Sequence, residues 1–131
     1  MTDGPRWSIA PYFLVPDVVA AAEYYRDKLG FQFEKFWGEG PNFTAVWRRG
    51  AVIMLSRGGG RGRASPNVAI AGDDVWDAYV WVDDADALYA EYRAKGVRIT
   101  RDICDQPYGC REFDVEDLNG YIICFGHDLA R

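Results

Sequence analysis

The chain holds a single histidine, His127, in 131 residues. Catalytic zinc, nickel and non-haem iron sites draw on imidazole and carboxylate donors converging from several elements. A conventional metal centre is therefore short of its commonest ligand. His127 lies three residues past Cys124 near the C-terminus and reads as a surface residue. No histidine stands ready to activate Ser8, Ser56 or Ser65, and no Gly-x-Ser-x-Gly elbow occurs. That excludes the usual serine triad. Cysteine is scarce too. Cys104, Cys110 and Cys124 are an odd count without metal-finger spacing, as expected of reduced thiols in a cytoplasmic protein. Cys124 sits in an apolar run and reads as buried filler rather than nucleophile. No apolar run approaches membrane-spanning length, and no basic segment followed by an apolar one opens the chain. Basic residues are the minority, leaving a net charge of −5. This argues against nucleic acid as partner and favours a neutral or cationic one.

What is plentiful is aromatic: five Trp, eight Tyr and seven Phe, enough to bury a core without staples. The length suits one compact domain, or two half-domains fused by a common core. The chain is also written twice. Phe43, Gly50 and Ile53 recur as Phe113, Gly120 and Ile123, each 70 positions on. Tyr25, Arg26 and Lys28 recur as Tyr92, Arg93 and Lys95, each 67 positions on. Two copies of one supersecondary unit must bury a shared face, and a site between them should appear as paired positions.

Each half reads as strand, helix, then three strands. In the first, Trp7 to Val15 is an aromatic and β-branched strand ending at Pro16. Asp17 caps an Ala-rich helix over Val18 to Leu29, whose apolar stripe is Val18, Ala21, Ala22, Tyr25 and Leu29. Gly30 stops it. Strands are predicted over Phe31 to Trp37, Phe43 to Trp47 and Ala51 to Ser56, with Arg48-Arg49-Gly50 as a tight turn. In the second half, Trp76 to Val82 is a strand and Asp84 caps a helix running to Lys95. Gly96 stops that helix. Strands follow over Val97 to Ile103, Arg111 to Val115 and Tyr121 to Gly126, with Asn119-Gly120 as a hairpin turn. The modules, about 7–57 and 75–127, are joined by Arg57 to Asp74. Its Gly58-Gly59-Gly60-Arg61-Gly62-Arg63 lacks the terminal Gly-Lys-Ser/Thr of a phosphate loop and opens no helix, so it reads as a flexible linker. The fold class is α+β: tandem βαβββ modules forming a cupped, curved mixed sheet with helices on the outer face.

Tandem βαβββ units resemble the vicinal oxygen chelate superfamily, which spans glyoxalases, bleomycin-resistance proteins and dioxygenases. Val15-Pro16-Asp17 with Glu23-Tyr24-Tyr25-Arg26-Asp27-Lys28-Leu29-Gly30-Phe31 is similar to its first helix. Asp117-Leu118-Asn119-Gly120-Tyr121 resembles its last hairpin, usually Asp-Pro-Asp-Gly-Asn, with Leu118 and Tyr121 departing. Val82-Asp83-Asp84-Ala85-Asp86-Ala87-Leu88-Tyr89 and Tyr108-Gly109-Cys110-Arg111-Glu112-Phe113 resemble the bleomycin-resistance branch more than glyoxalase I. The fold hosts isomerases, dioxygenases, thiol transferases and drug-binding proteins, so function must come from the site.

In metal-dependent members the ligands come from the first and last strands of each half. Aligned on the repeat, those positions are Ala10, Asp77, Met54 and Cys124. Ala10 cannot ligate, Met54 offers only a soft thioether, and two remaining ligands are fewer than a catalytic zinc normally needs. The residues imply no metal and no other cofactor. Strand alternation instead puts Tyr12, Met54, Tyr79, Trp81 and Cys124 on a concave face with one carboxylate, Asp77. Aromatics there either fill the interior of a closed sheet or line a small-molecule pocket. Glu112 reads as a solvated strand charge rather than a base.

The resemblance implies a metal-free binding protein, a homodimer that sequesters a drug in clefts at the subunit interface. The ligand would be planar and cationic, set against Trp81 and Tyr79 with Asp77 offsetting its charge. An alternative location is a dimer cleft near Phe36, Trp37 and Tyr108. The competing readings are an enzyme using Asp77 or a tyrosine for proton transfer on a small polar substrate, and a degenerate domain whose role is association alone.

Overall fold

The computed structural model describes residues 6–59 and 63–130, so the centre of the Gly/Arg-rich stretch, 60–62, lies outside the described residues. The described elements run β1 (Tyr12–Leu14), α1 (Val18–Asp27), β2 (Phe43–Arg48), β3 (Ala51–Ser56), α2 (Val68–Ala71), β4 (Ala78–Trp81), α3 (Ala85–Ala94), β5 (Arg98–Asp105), β6 (Cys110–Glu116) and β7 (Ile122–Asp128). They form two curved mixed sheets, ordered β1-β3-β2 and β4-β7-β6-β5. In each, the first strand pairs parallel with the last and the remainder is antiparallel. The predicted α+β class and tandem-module layout stand.

The helix signals act as read. The Asp17 carboxylate accepts from the Ala20 amide at 2.9 Å, and that of Asp84 from the Ala87 amide at 3.0 Å. Such caps contribute about 0.5–2 kcal/mol each. Gly30 (φ 76°) and Gly96 (φ 73°) then take the left-handed conformation that ends each helix. Val18, Ala21, Ala22 and Tyr25 of α1 are buried against Phe13, Val15, Ile53 and Leu55. Tyr92, Phe113, Val115 and Phe125 supply the second half of the same core.

Two expectations need correction. The strand predicted over Phe31 to Trp37 is reduced to isolated bridges, Gln32 with Trp47 and Trp37 with Phe43. Phe33 and Phe36 pack on each other at 5.2 Å and both lean on the core. A three-residue spacing onto one side is incompatible with strand alternation. The linker is not featureless either. It carries the short α2, and Ser65 and Asn67 donate backbone amides to the Tyr121 hydroxyl and the Asp77 carboxylate at 2.9 and 2.8 Å.

The modules are stitched by contacts from the helix of each to the hairpin turn or the helix end of the other. From α1, Tyr25 donates to Asp117 at 2.6 Å. From α3, Glu91 accepts twice from Arg48, at 2.7 and 2.9 Å, and Tyr92 donates to the Leu29 carbonyl at 2.7 Å. The repeated tyrosine pair thus serves each half in turn. The described helices include none long and apolar enough to cross a membrane.

Candidate functional site

Alternation on β4 sends Ala78 and Val80 toward the core and leaves Tyr79 and Trp81 on the other face, with ring centroids 4.8 Å apart. Trp76 meets Tyr79 edge-on at 5.5 Å, extending the aromatic wall. Trp81 is two-thirds exposed.

Beneath the wall is a group that sequence reasoning placed in solvent. Glu112 on β6 is fully buried. Its carboxylate accepts from Tyr79 at 2.7 Å, from Arg101 at 2.9 Å and from the Tyr108 hydroxyl. Arg101 also grips Asp114 through two bonds, at 2.9 and 3.0 Å. One guanidinium therefore serves two buried carboxylates, and the cluster keeps one net negative charge. Burial pushes the Glu112 pKa up, but the bonds from Tyr108, Tyr79 and Arg101 outweigh it and hold it below the usual glutamate value. Burial and the bond to Glu112 push the Tyr79 and Tyr108 phenols up, so both stay protonated donors. Cys124 faces the same charge. Burial first, then Asp114, raises its thiol well above the ordinary range, consistent with filler rather than nucleophile.

Gly126 makes this arrangement possible. It lies opposite Glu112 in the β6–β7 ladder, and a Cβ there would overlap the Tyr79 hydroxyl and sit 2.9 Å from the Glu112 Cβ. The first half contrasts with this. The counterparts of Tyr79 and Gly126 are Tyr12 and Ser56, and the Tyr12 hydroxyl stops at the Ser56 Oγ, 2.7 Å away. Where Glu112 stands in the second half, the first has Asn42.

The predicted site residues separate into two groups. Tyr12 and Met54 are register partners on the first sheet, where Tyr12, Phe43 and Trp37 form a chain of rings at 6.5 and 5.8 Å. Tyr79, Trp81, Tyr108 and Cys124 gather over the second sheet. No ring contact joins the two sets among the described residues. Phe36 packs toward the core. Asp77 is engaged elsewhere: its oxygens accept the Asn67 and Ile122 amides, each at 2.8 Å, pinning the linker to β7. His127 likewise has a local task, accepting the Ala85 amide at 2.8 Å at the start of α3.

The metal that the resemblance implies for metal-dependent members does not fit these residues. Ala10 has no donor atom, both Asp77 oxygens are taken by backbone amides, and Cys124 is held as a neutral thiol. The described residues contain no group of three or more His, Cys, Asp or Glu side chains placed to hold a metal ion.

A separate groove of about 640 Å³ opens between the modules. It runs between β3 with the preceding turn on one side and β4 with the first turns of α3 on the other. Of the predicted site residues only Tyr79 and Trp81 reach its lining, from the edge strand β4.

The family model for the Glyoxalase/Bleomycin resistance protein/Dioxygenase superfamily matches residues 9–125. Curated protein sequences gave no match. Among solved structures, the chain is similar to the bleomycin-binding protein of bleomycin-producing Streptomyces verticillus, solved with copper(II)-bleomycin. Identity is 26%, coverage 95% of this chain and 96% of that one, and the TM-score 0.63. TnmS3, an antibiotic binding protein from Streptomyces sp. CB03234, is 18% identical over 97% and 99% of the chains, with a TM-score of 0.70. A lactoylglutathione lyase from Agrobacterium tumefaciens is 18% identical over 95% and 96%, with a TM-score of 0.68.

Proposed function

The chain belongs to the Glyoxalase/Bleomycin resistance protein/Dioxygenase superfamily, and from that premise we propose that it is a metal-free binding protein that sequesters a small planar cation, in the manner of antibiotic-binding relatives. The observation that carries this reading is the aromatic pair of exposed Trp81 and partly buried Tyr79, whose hydroxyl reaches Glu112 in a cluster with one negative charge in excess. A flat ring stacks on Trp81, gaining about 0.5–2 kcal/mol if cationic. Its charged donor displaces the Tyr108 hydroxyl from Glu112. Tyr108 is more than half exposed and lies in the β5–β6 hairpin, which makes it the movable member of the cluster. The counter-charge thus falls to Glu112, since both Asp77 oxygens are occupied.

The reading includes a homodimer in a reducing, cytoplasmic setting. Among the described residues the outer edges of β1 and β4 have no strand partner, and Tyr12, Trp37, Trp81 and Tyr108 leave aromatic surface on both sheets. A second copy bringing its first-sheet rings, Tyr12 and Trp37, against the second-sheet wall would close the cleft. The relationship to lactoylglutathione lyase supports an alternative in which Glu112, held ionised under two phenols, moves a proton on a small polar substrate.

Titration of metal-free bleomycin, followed by tryptophan fluorescence and calorimetry, tests the binding reading. Trp81→Ala and Glu112→Gln should each weaken binding about tenfold or more, Asp77→Asn should leave it unchanged, and the ligand should be recovered intact. Chemical alteration of the ligand would favour the enzyme. Binding by no planar cation of this kind would end the sequestration reading.

A further inference from the structure

The groove between the modules is chemically unlike the cup over Glu112. Its floor is core: Ile53, Tyr92 and Phe125. Its walls are Pro11 and Val52 from the first module, Val80 and Leu88 from the second. Four of the five charged groups on its lining stand in two pairs. Arg48 holds Glu91 through two bonds, and Arg49 meets Asp83 at 3.3 Å. The remaining acid on the lining, Asp84, is engaged as the N-cap of α3, where it accepts the Ala87 amide at 3.0 Å. A charged guest would enter a largely apolar recess whose charged groups are already engaged with one another or with the α3 backbone, and desolvating an unpaired charge is strongly unfavourable. A neutral guest avoids that cost. A volume of about 640 Å³ lies within the range of small-ligand pockets. The exposed indole of Trp81 at the lip provides a flat surface for a ring.

We propose that this groove is a second ligand site, taking a neutral, largely apolar compound of two or three rings. The site shares Tyr79 and Trp81 with the cup but not its charged cluster: Glu112, Asp114, Arg101 and Tyr108 do not line it. Because its walls come from both modules, a guest there binds the assembled fold and not the separated halves. It should therefore raise the melting temperature as its concentration exceeds its dissociation constant.

The test uses the full chain with N-phenyl-1-naphthylamine, a neutral fluorescent probe, and its anionic relative 8-anilinonaphthalene-1-sulfonate. The neutral probe should bind saturably at one site per chain, with energy transfer from tryptophan, and at least tenfold more tightly than the anionic one. Ala87 is an exposed α3 residue on the groove wall, so enlarging it leaves the core intact. Ala87→Leu should weaken the neutral probe and Ala87→Trp should abolish saturable binding, while Glu112→Gln and Tyr108→Ala leave it unchanged. Equal affinity for both probes, or binding indifferent to Ala87→Trp in a folded protein, would overturn the proposal. So would loss of binding in Glu112→Gln. A probe affinity that falls in step with self-association would assign the groove to a second copy of the chain instead.

Discussion

Tyr25 of the first helix donates its hydroxyl to the carboxylate of Asp117, in the last hairpin of the second module, at 2.6 Å, and both side chains are buried. The other Asp117 oxygen accepts the amides of Asn119 and Tyr121 at 2.8 and 3.0 Å. One carboxyl group therefore shapes the hairpin and ties the halves together.

That carboxyl should make stability depend on pH. Burial raises its pKa to about 6, against the lowering effect of Tyr25 and the two amides. A group raised in the folded state stabilises fully below its unfolded value and loses that contribution as pH rises through the folded one. Between about pH 4 and 6 the Asp117 contribution should fall by on the order of 3 kcal/mol. Urea unfolding of the protein and of Asp117→Asn at pH 4.5 and 7 checks this. The variant should lack that decline, and parallel pH dependences would contradict it.

Gly126→Ala should displace the Tyr79 phenol from Glu112. Overpacking of this kind costs about 1–3 kcal/mol. The added methyl also removes a donor that keeps Glu112 ionised. Thermal melts should show the destabilisation, and planar-cation binding should weaken although residue 126 itself presents no ligand-binding side chain.

Glu112→Ala should be more damaging than Glu112→Gln. Alanine leaves the Tyr79 and Tyr108 hydroxyls without their acceptor, a loss of about 1–3 kcal/mol, while Arg101 keeps Asp114. Glutamine retains an oxygen and mainly changes the charge. A variant pair with equal melting temperatures would show that the network contributes little to the fold.

Metal addition should leave the protein unaffected. Melts with Zn, Ni, Mn or Fe(II) should match the metal-free curve, and elemental analysis should find no stoichiometric metal. A shift that vanishes in Asp77→Ala would restore the family's metal-dependent chemistry.

Light scattering at micromolar concentration should give about twice the monomer mass of 14.8 kDa. A monomer that remains soluble when concentrated would require the ligand to be held within one chain.

Periodicity made most of the fold legible. The offsets of 67 and 70 positions carried the module layout, the caps at Asp17 and Asp84, and the face of Tyr79 and Trp81. The first module's missing strand was hidden because Phe33 and Phe36 look strand-like in composition, yet their three-residue spacing suits one-sided packing. Glu112 was missed because a charge on a strand usually faces water. The available signal was alternation: Glu112 and Asp114 share a face opposite Phe113 and Val115. Sequence did not bring Arg101 to them, since the β5–β6 register shifts on either side of Arg101. Asp77 looked free because its partners are backbone amides, which composition cannot reveal.

The contrast between Gly126 and Ser56 separates the two halves of a duplicated chain by occupation. In the first half a hydroxymethyl group intercepts the strand tyrosine, and that ring is spent on local order. In the second half a missing side chain lets the equivalent tyrosine reach an acid. Under the proposed reading, only the second half brings a buried acid to the ligand. A lineage could silence the second half by changing a single backbone-lining position while every ligand-facing residue stayed intact. A relative that carries Trp81, Tyr79 and Glu112 but bears a side chain at the position of Gly126 should therefore keep the fold and lose the ligand.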